Sequence, residues 1–287
     1  MGNPFIPFPR CENIIIVGDA AAEYLGALRI YGRGLIGGDV PSMELLHPME
    51  KHLECVSCFL NDPTQVLMPA VRRMKADFVV LEENGSADFN PAAGREALEK
   101  EGISVKMLDV RGSTESVLRR AGKLFGEEKQ AERIIRERTE RLVALDDVRK
   151  SIRKGQKAAI FLAIRSPVRH ESYVFRISER SALSQLLTNT FAIENINVRP
   201  NAEERIPGIQ ELDDLSELFE KNPDLIVYTG DAAACGQKIT EFIRKHPQFA
   251  ECNAVKNGRI YGAPYYCHAL DLRRHEILEA WSDVLAD

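Results

Sequence analysis

The sequence Asn13-Ile-Ile-Ile-Val17-Gly18-Asp19, followed by the alanine-rich stretch Ala20–Leu28, contains the pattern that determines the fold class. An unbroken β-branched run is typical of a strand that is buried on both faces. Gly18 and Asp19 end this run at a turn, and the alanine-rich stretch favours a helix. This strand–turn–helix unit predicts a parallel sheet with helices on both faces, which defines the α/β class.

The same alternation continues through the first half of the chain. Thr64–Met74 is a predicted helix, and Asp77–Leu81 is a second buried strand. A further helix over Ala92–Glu101 leads to a strand over Ile103–Leu108. Successive strands joined by helices predict one mostly parallel sheet.

The segment 113–154 differs, because it consists almost entirely of helix-forming residues. Gly126 divides it into a short helix and a long one, Glu127–Lys154, which would extend about 40 Å at about 1.5 Å per residue. A helix of that length does not fit within one compact lobe and is better suited to join two. We therefore predict an α/β lobe over 1–112, a linking helical region over 113–154 and a second α/β lobe over 155–287.

The second half returns to strands and helices after Gly155. Lys157–Ile164 and Asp224–Tyr228 are predicted buried strands, and Lys238–Lys245 and Leu270–Ala286 are predicted helices. The second lobe is therefore also expected to have a mostly parallel central sheet.

Composition limits the classes of partner. The chain has 38 basic and 43 acidic residues and a formal net charge of −5, which argues against nucleic acid as the main partner. It contains no apolar run long enough to span a membrane. The stretch Met1–Cys11 lacks the basic start and apolar run of a signal peptide. The chain is therefore either cytoplasmic or begins where an exported mature chain begins.

Six cysteines are present, and one pair has a spacing of chemical interest, Cys55-Val-Ser-Cys58. Such a pair is either a redox dithiol or half of a metal site, but no second CxxC or HxxxH completes a zinc site. Ordinary buried or disulfide-bonded cysteines are the favoured interpretation, and no resident metal is predicted.

Four segments resemble one family in this order: Pro7–Val17, Lys75–Val80, Asn222–Val227 and Ala254–Tyr261. The order is similar to that in the binding proteins of ABC importers for iron-siderophores, haem and cobalamin, whose two lobes are joined by one backbone helix. The last segment, Ala-Val-Lys-Asn-Gly-Arg-Ile-Tyr, closely resembles the family's C-terminal hairpin. The resemblance covers essentially the whole chain.

The resemblance implies a carrier that catalyses nothing. It would hold a metal chelate in a cleft between its lobes and deliver it to an ABC permease. A ferric siderophore is the first expectation, with haem or cobalamin next, and the chelate is cargo and not a cofactor. The expected location is periplasmic, or extracellular with a lipid anchor, although a cytoplasmic location stays open. A monomer is the default for a carrier that must dock.

Family members have a glutamate on each lobe that pairs with permease arginines. In the family, this glutamate stands seven residues before the proline of the strand motif in each lobe. Ala76 and Pro223 occupy the proline positions here, so the glutamate positions are Pro69 and Ser216, with Glu217 adjacent to the latter. Glu217 is therefore the candidate docking residue, and the first lobe has no carboxylate in register.

Ligands of open α/β sheets bind beyond the carboxyl ends of the strands. Arginine offers a planar set of donors for chelate oxygens, and tyrosine offers a flat apolar face with a polar tip. If haem or a corrinoid is bound, Tyr265, Tyr266 and His268 are the candidate axial ligands. The full set of candidate ligand-binding residues is Asp19, Glu83, Arg165, Tyr173, Tyr228, Tyr265, Tyr266 and His268.

Two other functions stay open. The first is a tetrapyrrole metal chelatase, for which His170–Glu171 is the candidate proton-transfer pair. The second is a cofactor-holding protein of the same fold that works without a permease, suggested by Cys55, Cys58 and the missing first-lobe glutamate. A bare metal ion is a poorer candidate ligand, because the histidines do not converge at the strand ends.

Overall fold

The computed structural model divides into two units, which we call the first and second lobes. The first lobe comprises 1–39, 43–140 and 267–272, and the second comprises 40–42, 141–266 and 273–287. The predicted two-lobed α/β fold is confirmed. The residues that the structure describes are 10–38, 47–152, 154–165, 171–197, 199, 204, 208–212, 214–263 and 271–285.

The strands of the first lobe are β1 (Arg10–Cys11), β2 (Ile14–Val17), β3 (Ile30–Tyr31), β4 (Gly34–Gly37), β5 (Lys51–Cys55), β6 (Phe78–Glu83) and β7 (Val105–Asp109). Five of them form a parallel sheet of order β5-β4-β2-β6-β7. Its central strand β2 is fully buried, as its β-branched sequence predicts. A separate parallel pair is formed by β1 and β3.

Four helices of the described residues connect these strands. Side chains of Phe59, Leu67 and Leu98 pack against one sheet face and form a core with Ile15 and Val79. The helices are α1 (Asp19–Ala27), α2 (Val56–Asn61), α3 (Pro63–Met74) and α4 (Arg95–Lys100).

The middle segment forms three helices: α5 (Thr114–Phe125), α6 (Glu128–Ala144) and α7 (Asp146–Ser151). Gly126 ends α5, as predicted, and adopts a left-handed conformation there. The prediction of one helix over Glu127–Lys154 is wrong in detail, because Leu145 is a turn residue between α6 and α7. Two aspartates follow the turn, and acidic residues stabilise the first turn of a new helix.

The second lobe contains a six-stranded mixed sheet. Its strands are β8 (Lys157–Arg165), β9 (Ser172–Ile177), β10 (Glu194–Asn195), β11 (Ile209–Glu211), β12 (Leu225–Gly230) and β13 (Ile260–Gly262). The main path is β11-β9-β8-β12-β13, and β10 pairs with the start of β8. The pairs of β12 with β8 and β13 are parallel, whereas β9 is antiparallel to both β8 and β11.

Helices of the second lobe pack on this sheet. Ile239 and Phe242 contribute to a core with the strand residues Phe161 and Ile226. The helices are α8 (Ala182–Phe191), α9 (Ser216–Phe219), α10 (Ala232–Lys245), α11 (Asn253–Lys256) and α12 (Arg274–Leu285).

The segment Ala254–Tyr261 is not a hairpin, contrary to the expectation from the resemblance. Its first residues belong to α11, and Ile260 begins β13, which pairs in parallel with β12. Gly258 supplies the positive φ of 65° in the intervening turn. The segment is therefore a helix–turn–strand unit.

Across the described part of the chain, no helix combines the length and apolar character that a membrane crossing requires.

Candidate functional site

The carboxyl end of β2 in the first lobe is held by two carboxylates. Asp19 begins α1 and accepts hydrogen bonds from the Gly38 amide at 2.9 and 3.1 Å, which tie the end of β4 to α1. Glu82 is 2% exposed and accepts from the Ala21 amide at 3.0 Å. A carboxylate at this position satisfies an unpaired amide of the first helical turn. Both carboxylates therefore fix the loops at this edge of the sheet.

Glu83 closes the loop that follows β6. It accepts from the Gly85 amide at 2.9 Å and from the Asn90 side-chain amide at 3.0 Å. Arg111 lies 3.9 Å from the same carboxylate oxygen. Glu83 is thus half-buried and bonded within its own lobe.

Asp109, at the end of β7, forms a two-pronged ion pair with Arg111. The guanidinium donates at 2.9 and 3.1 Å to the two carboxylate oxygens. These hydrogen bonds lower the pKa of Asp109 to about 2. This ion pair was not predicted from the sequence.

Cys55 and Cys58 lie at the carboxyl end of the edge strand β5. Both are free thiols; Cys58 is exposed and its amide donates to the Sγ of Cys55 at 3.3 Å. The Glu54 carboxylate accepts from the Cys55 amide at 3.0 Å and completes a group of three potential ligand atoms within 4.8 Å of one another. The hydrogen bond with Cys55, together with nearby negative charge, raises the pKa of the Cys58 thiol to about 11.

In the second lobe, Arg165 and Tyr173 lie at the same edge of the sheet but on opposite faces. Arg165 ends β8 and is exposed, and its register partner on β9 is Ser172. Tyr173 is the next residue along β9, so its side chain points to the other face. Its hydroxyl donates to the Glu171 carboxylate. A group at this end of the sheet can therefore reach Arg165 from one face and Tyr173 from the other.

Tyr228 lies on the same face as Arg165 but deeper in the lobe. It is half-buried against the core beneath α10. Its ring fills the space above Gly262, where a Cβ would lie 3.0 Å from the phenol oxygen. Asp231, just beyond β12, caps α10 by accepting from the Ala234 amide at 2.9 Å.

Glu217, the candidate docking residue, forms an ion pair within the second lobe. Arg176 donates to it at 2.7 Å, and Arg199 lies 3.6 Å away. The Arg176 hydrogen bond lowers the pKa of Glu217. The Arg176 side chain is 2% exposed, whereas the Glu217 side chain is 47% exposed. Glu217 therefore neutralises a buried cation and still reaches solvent.

Five of the eight candidate ligand-binding residues are among the described residues. Tyr265, Tyr266, His268 and His170 lie outside the described residues. Of the remaining candidates, the structure places Asp19 and Glu83 at the carboxyl edge of the first sheet. It places Arg165, Tyr173 and Tyr228 in the carboxyl half of the second sheet.

Three contacts were not predicted from the sequence: Glu54 with the two cysteines, Arg111 with Asp109, and Arg176 with Glu217. Glu54 could have been found, since an acid directly precedes the CxxC. Arg111 stands two residues after Asp109, which is also a local signal. Arg176 and Glu217 are separated by 41 positions, and no local pattern relates them.

The chain matches known proteins at the levels of family and fold. A family model described as periplasmic binding protein matches residues 60–266. No curated protein matches the sequence.

Several solved structures have a similar fold. The iron-uptake system-binding protein FeuA from Bacillus subtilis is 18% identical, with 95% of this chain and 94% of that chain covered and a TM-score of 0.64. A periplasmic haem-binding protein from Pseudomonas aeruginosa is 15% identical, with 97% and 92% covered and a TM-score of 0.64. The periplasmic haem-binding protein RhuT from Roseiflexus sp. RS-1 is 13% identical, with 96% and 98% covered and a TM-score of 0.67.

Proposed function

Because the chain belongs to the periplasmic binding protein family, we propose that it is a carrier for a metal chelate and not an enzyme. A ferric siderophore is the first candidate, and haem or cobalamin is next. The match of the family model over 60–266, which includes strands of both lobes, is the observation that carries this proposal. Two proteins of similar fold support the choice of ligand class: FeuA, solved in complex with ferri-bacillibactin, and the haem-binding protein from Pseudomonas aeruginosa.

Arg165 is the residue that we propose contacts the negative oxygens of the chelate. It is exposed at the carboxyl end of β8, where ligands of open α/β sheets bind. Its guanidinium can donate two parallel hydrogen bonds to a catecholate, hydroxamate or carboxylate. Tyr173 would offer an aromatic surface from the opposite face of the same sheet edge.

The remaining candidates have more indirect roles in this proposal. Tyr228 packs on the second-lobe core and against Gly262 at the carboxyl half of the sheet. Asp19 and Glu83 hold the first-lobe loops by accepting hydrogen bonds from backbone amides. Tyr265, Tyr266 and His268 are proposed contacts from the segment after β13, and they would be the axial ligands if the cargo is haem or a corrinoid.

Delivery to an ABC permease is the second part of the proposal. Glu217 is the proposed docking residue, because its carboxylate is half-exposed and can exchange the exposed Arg199 for an arginine of a permease while it stays bonded to the buried Arg176. We place the carrier, as a monomer, in the periplasm or outside the cell with a lipid anchor. An uptake assay in cells should show that Glu217→Gln lowers transport while the purified variant binds the chelate normally. Unchanged uptake would remove Glu217 from the docking role.

A pair of arginine variants tests the binding site. Arg165→Ala should weaken binding of an anionic ferric chelate by about 10- to 100-fold, since a hydrogen bond to a charged group contributes about 1.5–3 kcal/mol. Arg180→Ala is the matched control, because Arg180 is exposed in the same lobe but follows β9 at the opposite edge of the sheet. Calorimetric titration measures both. Equal affinities for the two variants would place the chelate elsewhere.

A further inference from the structure

Three potential metal ligands converge at the end of β5, within the first lobe. The carboxylate of Glu54 and the sulfurs of Cys55 and Cys58 lie within 4.8 Å of one another. A tetrahedral ion with about 2.3 Å metal–sulfur bonds holds its ligand atoms about 3.7 Å apart. The three groups therefore need to move by about 1 Å or less to share one ion.

Neighbouring atoms favour this arrangement. The Cys58 amide donates to the Cys55 sulfur at 3.3 Å and holds that sulfur beside the first turn of α2, which contains Cys58. The Cys55 amide draws the Glu54 carboxylate towards the sulfurs. The strand neighbour of Cys55 is Gly37, so no side chain from β4 stands beside it at this point. Cys58 is exposed and leaves a path for an ion to enter.

The donor set selects the kind of ion. Two sulfurs exclude the hard cations Mg²⁺ and Ca²⁺, which take oxygen ligands, and favour a thiophilic ion such as Zn²⁺. Three protein ligands leave the fourth tetrahedral position to water or to an incoming group.

We propose that Glu54, Cys55 and Cys58 form a binding site for a thiophilic divalent cation of the zinc class, with one exchangeable position. This site lies within one lobe and requires no chelate. It is additional to the carrier function and departs from the sequence-based expectation of no resident metal. Binding releases the thiol protons and involves no change of oxidation state.

Metal titration of the purified full chain tests the proposal. The protein is kept reduced with a phosphine, because thiol reductants themselves bind zinc. Competition with a chromophoric chelator should give one Zn²⁺ per chain at micromolar or tighter affinity, and Co²⁺ should produce a sulfur-to-metal charge-transfer band. Cys58→Ser should abolish the band. Glu54→Gln should keep a sulfur band while weakening Zn²⁺ binding by at least about tenfold, because ligand loss costs no less than loss of an outer-shell partner.

Matched variants separate this site from other thiols and acids. Cys252→Ser removes a buried thiol of the second lobe, and Glu96→Gln removes an exposed first-lobe carboxylate; both should bind Zn²⁺ as wild type does. Loss of binding in a Cys11→Ser, Cys267→Ser double variant, or unchanged binding in Cys58→Ser, would overturn the proposal. Either result leaves the chelate-carrier function untouched, because that function is measured with chelates and without free zinc.

Discussion

Gly18 has no side chain at a point where the first lobe leaves no room for one. Its φ is 120° and its ψ is 135°, a conformation that residues with a Cβ rarely adopt. A Cβ at this position would lie 2.4 Å from both the Cβ and the Oε2 of Glu82. Glu82 is 2% exposed, so its carboxylate cannot turn into water to make room. Gly18→Ala therefore has to displace a buried carboxylate.

The substitution lowers the stability of the folded state in two ways. The unfavourable backbone conformation costs about 1–3 kcal/mol. Loss of the hydrogen bond from the Ala21 amide to the Glu82 carboxylate costs about 1.5–3 kcal/mol, because the acceptor is charged and buried. We expect Gly18→Ala to lower the free energy of unfolding by about 3–6 kcal/mol.

Gly126→Ala is the matched control for the cost of placing a residue with a Cβ at a positive φ. Gly126 also has a positive φ, 72°, but nothing lies within 4 Å of the position of its Cβ. Its substitution should cost about 1–2 kcal/mol. In thermal unfolding followed by circular dichroism, Gly18→Ala should lower the Tm by roughly 10 °C and Gly126→Ala by only a few degrees, at about 2–4 °C per kcal/mol. Equal losses would refute the argument that Glu82 fills the space beside Gly18.

Three further predictions concern buried charge and are checked by urea unfolding. Burial raises the pKa of Glu50 from 4.5 to about 7, so the folded protein retains a proton that the unfolded chain releases. Stability should fall by about 3 kcal/mol as the pH rises from about 4.5 through 7, and Glu50→Gln should remove this dependence; a persistent slope would contradict it. Arg138→Met breaks the ion pairs of a buried guanidinium with Glu115 and Asp271 and should cost about 1.5–3 kcal/mol through loss of charged hydrogen bonds, whereas Arg119→Met, in an exposed pair, should change little; similar losses would argue against a role for burial. Glu217→Gln should cost about 2 kcal/mol, because water reaches the glutamate but not Arg176; no loss would show that Arg176 finds another partner.

The fold was predictable where its signals are local. Asn13–Val17 encodes a strand through its own side chains, and Gly126 ends a helix through its own backbone freedom. The break at Leu145 was missed because helical periodicity continues across it, although the aspartates at 146 and 147 are a helix-start signal. The parallel pairing of β13 was missed because pairing depends on a strand distant in sequence.

The candidate site was less predictable for the same reason. The positions of Arg165 and Glu83 could be predicted, because the apolar strand patterns end next to them and they are the last residues of β8 and β6. The sequence contained no sign that Glu82 packs against Gly18 or that Arg176 binds Glu217. These contacts join residues far apart in the chain and form only when the sheet and helices pack.

The most direct test of the carrier proposal is calorimetric titration of the purified wild-type chain with a panel of chelates. The panel comprises ferric catecholate and hydroxamate siderophores, haem and cobalamin, with the metal-free siderophores as controls. We predict saturable one-to-one binding of one chelate class at micromolar or lower concentration, corresponding to about 8 kcal/mol or more of binding free energy. Absence of saturable binding across the whole panel would contradict the proposal that this chain carries a metal chelate.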